Sequence, residues 1–377
     1  MPRKKESSCE LIKKEILVRF EQVAEPIINK LNEIIQNLKD KKDQKVALIT
    51  HNVPDPDAIS SALVLKRFLK SAGVETEVFT NNLEFISRET KTIINTIGIH
   101  ITPSEQFNPD IHKSVILVDV ASLNQSNVDP KNLNVDLVID HHNDETPFES
   151  TATIITLLME VMGFELTKEL ATALLVGLEI DTLQCTAAKF TDFDDLAFKI
   201  LSNLRDVKLR REIVQCGYSE SYREILTRAL SQQYFRKEGS TVVSGVGFVP
   251  ETQLSYLPKV ANFILDEDGV ERVTILAIVE KEVKDDAGDL VTREYYIVPT
   301  TRSSSGIENA GELNKKVFGE KVAGGDPVKA SGRIPLDPTM EKLIERAKSS
   351  GDESTLEKYF QDILKLYLEK ILEKQTQ

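Results

Sequence analysis

The sequence predicts an α/β protein: a doubly wound parallel sheet in a larger first domain, a smaller α/β domain after it, and helical N- and C-terminal extensions. Three observations predict this. From residue 45 to about 205, short apolar runs (KVALIT, TEVFT, VILVDVA, DLVID) alternate with helix-length segments at 58–71, 151–162 and 168–178, the pattern of strands joined by helical crossovers. At 377 residues the chain is longer than one hydrophobic core usually sustains, so two domains are expected. Carboxylates and imidazoles sit at the ends of the apolar runs, where an open parallel sheet gathers its ligands.

Taken in order, residues 10–42 carry apolar side chains at helical spacing (Leu11, Ile16, Phe20, Val23, Ile27, Leu31, Ile34) and end in the polar run 39–44. They read as an amphipathic arm, 1–43. The arm packs on the first domain or, alternatively, meets a second copy of the chain in a homodimer. The parallel sheet occupies 44–205. Residues 206–239 are helical and charged and read as a connector. In the second domain, 240–337, strands are predicted at 240–249, 272–280, 294–300 and 328–336 and a helix at 308–317. A polar turn falls around Gly288, and a Gly-rich turn at 323–326. Residues 338–377 form a Lys/Glu-rich helical tail with an apolar stripe at Leu356, Tyr359, Phe360, Ile363, Leu366, Tyr367 and Ile371.

Composition narrows the function. A formal net charge of −13 argues against a general duplex-DNA binder, whose affinity comes from a basic surface. No apolar stretch approaches a membrane span, so no membrane partner is expected. The opening MPRKKESSCELIKKE has basic residues without a following apolar core, unlike a secretory signal. Cys9, Cys185 and Cys216 show neither metal spacing nor a disulfide framework and read as ordinary residues. A cytoplasmic location is the expectation.

The chemistry concentrates in HNVPDPDAISS, residues 51–61, which packs His51, Asp55 and Asp57 into seven residues after an apolar run. Asp119 closes VILVD, Asp140-His141-His142 follow LVI, and Asp181 closes VGLEID. Hard divalent cations prefer carboxylate oxygen, and manganese also accepts imidazole. Two such ions can share one carboxylate and clamp phosphate oxygens. In this reading His51, Asp55 and Asp57 ligate from one loop, Asp119 bridges, and His141 with Asp181 completes the second ion. His142 is left to meet the phosphate or leaving oxygen, and Asp140 orients an imidazole. Aspartates after strands are often only caps, which would suffice for Asp57 or Asp181 alone. It does not explain why three of the chain's five histidines fall in these strings. The other two, His100 and His112, read as surface residues.

The strings HNVPDPDAISS, LVDVA, VIDHHN and GLEIDT resemble, in order, content and spacing, the four motifs of the DHH phosphoesterase superfamily, over about residues 46–182. The resemblance implies a two-manganese phosphoesterase domain, with Mg2+ or Co2+ as alternatives. Its metal set carries over to His51, Asp55, Asp57, Asp119, His141 and Asp181. Ile59-Ser60 stands where Gly-Ser is common, which alters the loop without removing a ligand.

The string TTRSSSGIENAGELNKKVFGEKVAGGDPVKASGRIPL resembles the DHH-associated C-terminal domain, which implies substrate binding there. Arg302 and Ser303 suit phosphate, and Gly324 and Gly325 let backbone N–H groups approach an anion. Asp326 stands where a histidine is usual, either as a substrate-facing residue or as a turn residue before Pro327, and Arg333 is placed to replace the histidine in part. The two-domain form resembles the nanoRNase and pAp phosphatase group, which implies a small nucleotide or short oligonucleotide as substrate. The alternatives are an inorganic polyphosphatase or pyrophosphatase, a RecJ-like single-strand exonuclease, and a non-catalytic nucleotide sensor or scaffold on the same fold.

Overall fold

The structure, a computed structural model, describes residues 8–374 except 81–82, 84–85, 99, 127, 129–132, 144, 188, 216–218, 232–234, 238–239, 285–289, 305–308 and 326. The chain divides into two compact units, Met1–Cys216 and Gly217–Gln377. The division falls inside 206–239, the segment read as a connector.

The first unit runs α1 (Ser8–Leu38), β1 (Lys45–Ile49), α2 (Pro56–Ser71), β2 (Glu75–Phe79), α3 (Arg88–Ile97), β3 (Ile101–Thr102), β4 (His112–Val118), β5 (Leu137–Ile139), α4 (Thr151–Val161), α5 (Lys168–Asp181), α6 (Asp192–Leu204) and α7 (Val207–Val214). Its sheet has the order β3-β2-β1-β4-β5, and every pair is parallel. Val46–Ile49 of β1 and Val115–Val118 of β4 are continuously apolar because both faces of these central strands are covered. Val46 and Leu48 of β1 enter a core built with α1, α2 and α4–α6. Ala47 and Ile49 enter the opposite one, with Val115, Leu117, Phe107 and Val128. Strand order reverses between β1 and β4, so a crevice opens beyond their carboxyl ends.

Helix α1 belongs to the first core. Phe20 and Leu31 are fully buried, and Phe20 meets the edges of Phe148 and Phe193 at 5.7 and 6.3 Å between centroids. Arg19 pairs with Asp192 and lies over the Phe193 ring. Helix α3 and strand β3 were not predicted. They carry local signals all the same: the Ser87 hydroxyl accepts from Thr90 N, and Gly98 ends the helix at φ 69°. His112 corrects the surface reading. It is the first residue of β4, is buried, lies between Phe79 and Phe107, and sets Nε2 3.1 Å from Glu77. The strand begins one residue after the turn, so the imidazole turns inward. His100 is exposed, as expected.

The second unit runs α8 (Glu220–Ser231), β6 (Phe235–Lys237), β7 (Thr241–Pro250), α9 (Tyr256–Leu265), β8 (Arg272–Lys284), β9 (Leu290–Ser303), α10 (Ala310–Phe318), β10 (Ala323–Gly325), β11 (Lys329–Gly332), β12 (Ile334–Pro335), α11 (Pro338–Ser350) and α12 (Glu353–Lys374). Its sheet has the order β10-β11-β9-β8-β7-β6, with β12 also on β9. Helices α8 and α9 cover one face. On the other, Ile344 of α11 and Phe360, Ile363 and Ile371 of α12 pack on Leu276, Ile278, Tyr295 and Ile297. Most of the tail stripe is therefore a core face, while Leu366 is exposed. The strand predicted at 328–336 is two short strands broken at Arg333, and most of the Gly-rich turn is strand β10. The turn at Gly288 and the reading of Asp326 lie outside the described residues. Among the described residues no helix is long and apolar enough to cross a membrane.

Replacing Phe20 by Ala should cost about 3–5 kcal/mol of stability, read by chemical denaturation. A loss under about 1 kcal/mol, the size of an ordinary surface substitution, would show that α1 is not part of the first unit's core.

Candidate metal centre

The first motif leaves β1 and turns into α2. Asp55 caps that helix, its Oδ1 accepting from Ala58 N at 3.0 Å, and Pro56 follows at the first helical position. Asp57 turns toward α4 instead. Its Oδ2 accepts from Thr151 N and its Oδ1 from Ala152 N, both at 2.8 Å. One carboxylate thus satisfies two of the N–H groups that α4 leaves unpaired at its start. Helix α5 crosses close to this point. A Cβ on Gly177 would lie 2.8 Å from Asp57 Cα, so only glycine permits the approach.

Asp119 directly follows β4 with φ 57°, in the left-handed region, where an aspartate is tolerated at some cost. Its N–H donates to Ile139 O at 2.9 Å, tying the end of β4 to that of β5. The side chain is 2 % exposed, and its Oδ1 accepts from the Thr151 hydroxyl at 2.8 Å. Its two oxygens face different imidazoles: Oδ2 is 3.7 Å from His51 Nε2, and Oδ1 is 3.6 Å from His141 Nε2. His141 Nε2 also lies 3.4 Å from Asp181 Oδ2. Asp181 is the last residue of α5, where the helix dipole disfavours a carboxylate. Leu183, Gln184 and Cys185 then follow at φ 51°, 60° and 65°, a left-handed run that costs about 1–2 kcal/mol per residue.

His142 stands apart. Its Nδ1 meets Asp140 Oδ1 at 2.7 Å, its backbone N–H donates to Asp140 Oδ2 at 3.1 Å, and its side chain is 56 % exposed. Asp140 thereby fixes the ring and leaves Nε2 directed outward.

Crowding sets the electrostatics. Burial, then Asp55 and Asp181, push the Asp119 carboxyl up to about 8. Burial and Asp181 raise Asp55. Burial and the facing Asp119 raise Asp57 well above the usual carboxylate range, against the two N–H donors of α4, which favour the anion. The bond to Asp140 holds the His142 imidazolium up to about 9. Burial lowers His141, but the nearby carboxylates of Asp181 and Asp119 outweigh it and leave it raised.

Three sets of donor atoms converge, each set within 4.8 Å: His51, Asp55 and Asp119; Asp57, Asp119, His141 and Asp181; and Asp119, His141 and His142. Asp119 belongs to all three. Asp57 falls with His141 and Asp181 and not with its loop neighbours. The donors are nitrogen and oxygen only, the set that manganese accepts. The imidazole–carboxylate spacings exceed a good hydrogen bond and match two ligands at about 2.1 Å from one shared ion. The residues therefore fit a pair of divalent cations.

The second-unit residues lie in sheet and hairpin. Arg302 is on β9, its guanidinium donating to Thr301 O at 2.9 Å. Ser303 is buried, its hydroxyl donating to the Glu271 and Ser304 carbonyls. Gly324 and Gly325 form β10. Gly325 has φ 147°, and a Cβ on Gly311 of α10 would lie 2.1 Å from its carbonyl oxygen, so glycine here serves close packing of helix on hairpin. Arg333 pairs with Glu251 Oε1 at 3.2 Å and lies over the Tyr296 ring.

Thr151 and Gly177 were missed. Ser150 before Thr151 is legible as a helix cap, but nothing in the string ESTATI marks the next hydroxyl for Asp119. Thr151→Val keeps shape and the N–H to Asp57 and removes only the bond to Asp119. It should weaken metal binding about 10- to 100-fold, with Thr151→Ser near wild type. Equal affinity in all three would remove the positioning role. The raised carboxyls add a pH dependence. In the metal-free protein Asp119 contributes stability below about pH 4, its unfolded value, and that contribution is lost as pH rises through about 8. Ligands must ionise to bind metal, so affinity should climb toward pH 8. Calorimetry at pH 7 in two buffers of different ionisation heat should show release of about one proton or more. No proton release would contradict the raised carboxyls.

The DHH family, N-terminal domain, matches residues 45–178. An uncharacterized protein of Methanocaldococcus jannaschii is 27% identical over 334 residues, covering 83% of this chain and 64% of that protein. A probable manganese-dependent inorganic pyrophosphatase of Staphylococcus epidermidis is 31% identical over 191 residues, 46% of this chain and 61% of the relative. A manganese-dependent inorganic pyrophosphatase of Methanothrix thermoacetophila is 24% identical over 299 residues, 74% and 93% respectively. The chain thus spans under two thirds of the first two relatives. An exopolyphosphatase-related protein from Bacteroides fragilis shares the fold, with TM-score 0.61, 20% identity and coverage of 90% of this chain and 97% of that one. Within the chain, residues 45–178 thus match the N-terminal domain of the DHH family.

Proposed function

We propose that the protein is a manganese-dependent phosphoesterase hydrolysing small nucleotides or short oligonucleotides. One observation carries the two-metal part. The two oxygens of a single buried carboxylate, Asp119, face His51 on one side and His141 on the other. We assign His51, Asp55 and Asp119 to one ion, and Asp57, Asp119, His141 and Asp181 to the other. The manganese-dependent relatives support the choice of metal, with Mg2+ or Co2+ as alternatives. Two bound cations supply Lewis acidity for the phosphate oxygens and lower the pKa of the attacking water.

The chain's own residues do the rest. Asp119 holds the two sites in register. His142 is protonated at neutral pH, Asp140 fixes its orientation, and its outward Nε2–H is placed to donate to the leaving oxygen. Thr151 holds Asp57 and Asp119 in one geometry. To the second unit we assign recognition of substrate phosphate, through Arg302, Ser303, Gly324 and Gly325; Arg333, expected beside them, lines a separate cavity.

A second reading, inorganic pyrophosphate as substrate, is favoured by a specific observation. The alignment to the Methanothrix thermoacetophila pyrophosphatase covers 74% of this chain, more than the first unit holds, so it runs into the second unit. The second unit therefore does not by itself exclude pyrophosphate. Phosphate and mononucleotide release from a matched panel of pAp, a 5′-phosphorylated dinucleotide, a long single strand and pyrophosphate separates the readings. Preference for pAp or the dinucleotide is expected. Preference for pyrophosphate or the long strand would move the substrate. Turnover of none, with metal bound, would leave a sensor or scaffold. Asp119→Asn should lower turnover by more than the roughly 10- to 100-fold typical of residues that only support a ligand, and near-normal activity would remove the bridging role.

A further inference from the structure

The second unit contains a cavity of about 480 Å3 that the metal centre does not use. Leu254, Pro258, Val298 and Val322 give it apolar walls, and Thr300, Lys321, Ser331 and Arg333 supply polar groups. Arg302, Ser303, Gly324 and Gly325 do not line it. We propose that this cavity is a nucleoside monophosphate site, with Arg333 stacking the base and Lys321 and Thr300 meeting the phosphate and sugar.

Three features carry this beyond a cationic dent in the surface. Arg333 is held ready. Its N–H donates to Val322 O at 2.8 Å, and its guanidinium reaches Glu251 Oε1 at 3.2 Å, the same oxygen that accepts from the Tyr296 hydroxyl at 2.8 Å. The guanidinium carbon lies 5.2 Å over the Tyr296 ring, yet the side chain is 59 % exposed. The guanidinium thus sits above the tyrosine ring and is still reachable from solvent, where a nucleobase can stack on it.

The second feature is an unused hydroxyl. Thr300 is 3 % exposed and lines the cavity. Among the described residues its hydroxyl has no hydrogen-bond partner, whereas the adjacent Thr301, on the opposite face of β9, bonds to Asn314 and Thr274. The hydroxyl is not one of the fully buried unpartnered atoms, so it opens onto the cavity, where a ligand can meet it. The third is charge. Lys321 has no ion-pair partner among the described residues, and Glu251 offsets only one of the two cations. Lys321 therefore presents an unpaired ammonium to the cavity in a chain of net −13. Apolar walls, a reachable guanidinium and an unpaired ammonium together select an amphipathic anion over a free inorganic one.

The inference goes beyond the catalytic reading and needs no metal, so its test omits metal. AMP, adenosine and inorganic phosphate are titrated by calorimetry into the chelator-treated full-length protein. One saturable AMP site is expected, with adenosine and phosphate each at least about tenfold weaker, since each lacks half of the contacts. Lys321→Ala and Arg333→Ala should each weaken AMP about tenfold, and the isosteric Thr300→Val about two- to tenfold. Asp119→Asn should bind AMP like the parent, which separates this site from the metal centre. No saturation with AMP, unchanged affinity in the Lys321 and Arg333 variants, phosphate binding as tightly as AMP, or loss of AMP with Asp119→Asn would each overturn the proposal.

Discussion

Buried carboxylates that face one another set the terms for the rest of the first unit. Asp55, Asp57, Asp119 and Asp181 converge beside the imidazoles of His51 and His141, and burial together with mutual repulsion raises the first three. Ionising such a cluster in a poorly solvated crevice is expensive without cations. Two divalent ions would reverse the sign of the local field and turn the repulsion into ligation. The cluster is intelligible as an ion site and is hard to explain as a structural feature.

The fold supplies the cluster through backbone geometry. Parallel pairing of β1 with β4 and of β4 with β5 brings the residues after three strands to one edge, at the point where strand order reverses. His51, Asp119 and the Asp140–His142 string arrive there from segments far apart in sequence. Secondary contacts then fix orientation. Thr151 reaches Asp57 through its N–H and Asp119 through its hydroxyl. Gly177 lets α5 come within contact of Asp57 and deliver Asp181. Two residues without titratable groups thus determine where two carboxylates point.

Much of this was legible in the sequence. The apolar runs located β1, β2, β4 and β5, because strands buried on both faces cannot hide their composition, and the polar residues behind them located the edge of the sheet. Capping and ligation compete as readings of Asp57 in the sequence; in the structure Asp55 caps α2 and Asp57 caps α4 from outside, and both also stand in the converging donor sets. Helix α3 and strand β3 are short and half-exposed, so periodicity gave little signal. Thr151 and Gly177 act through tertiary approach, which leaves no local mark. His112 was misread because one residue separates a turn from a buried strand. The cavity around Arg333 was also invisible, since its walls come from α9, β9, β11 and the segment before β10, and no single stretch of sequence records their meeting.

The central claim is that Asp119 joins two ions, and electron paramagnetic resonance of the protein loaded with manganese tests it directly. Two Mn2+ per chain, about 3.5–4 Å apart across a shared carboxylate, should give an exchange-coupled spectrum. A single uncoupled ion at saturation, or two ions with independent spectra, would contradict the account.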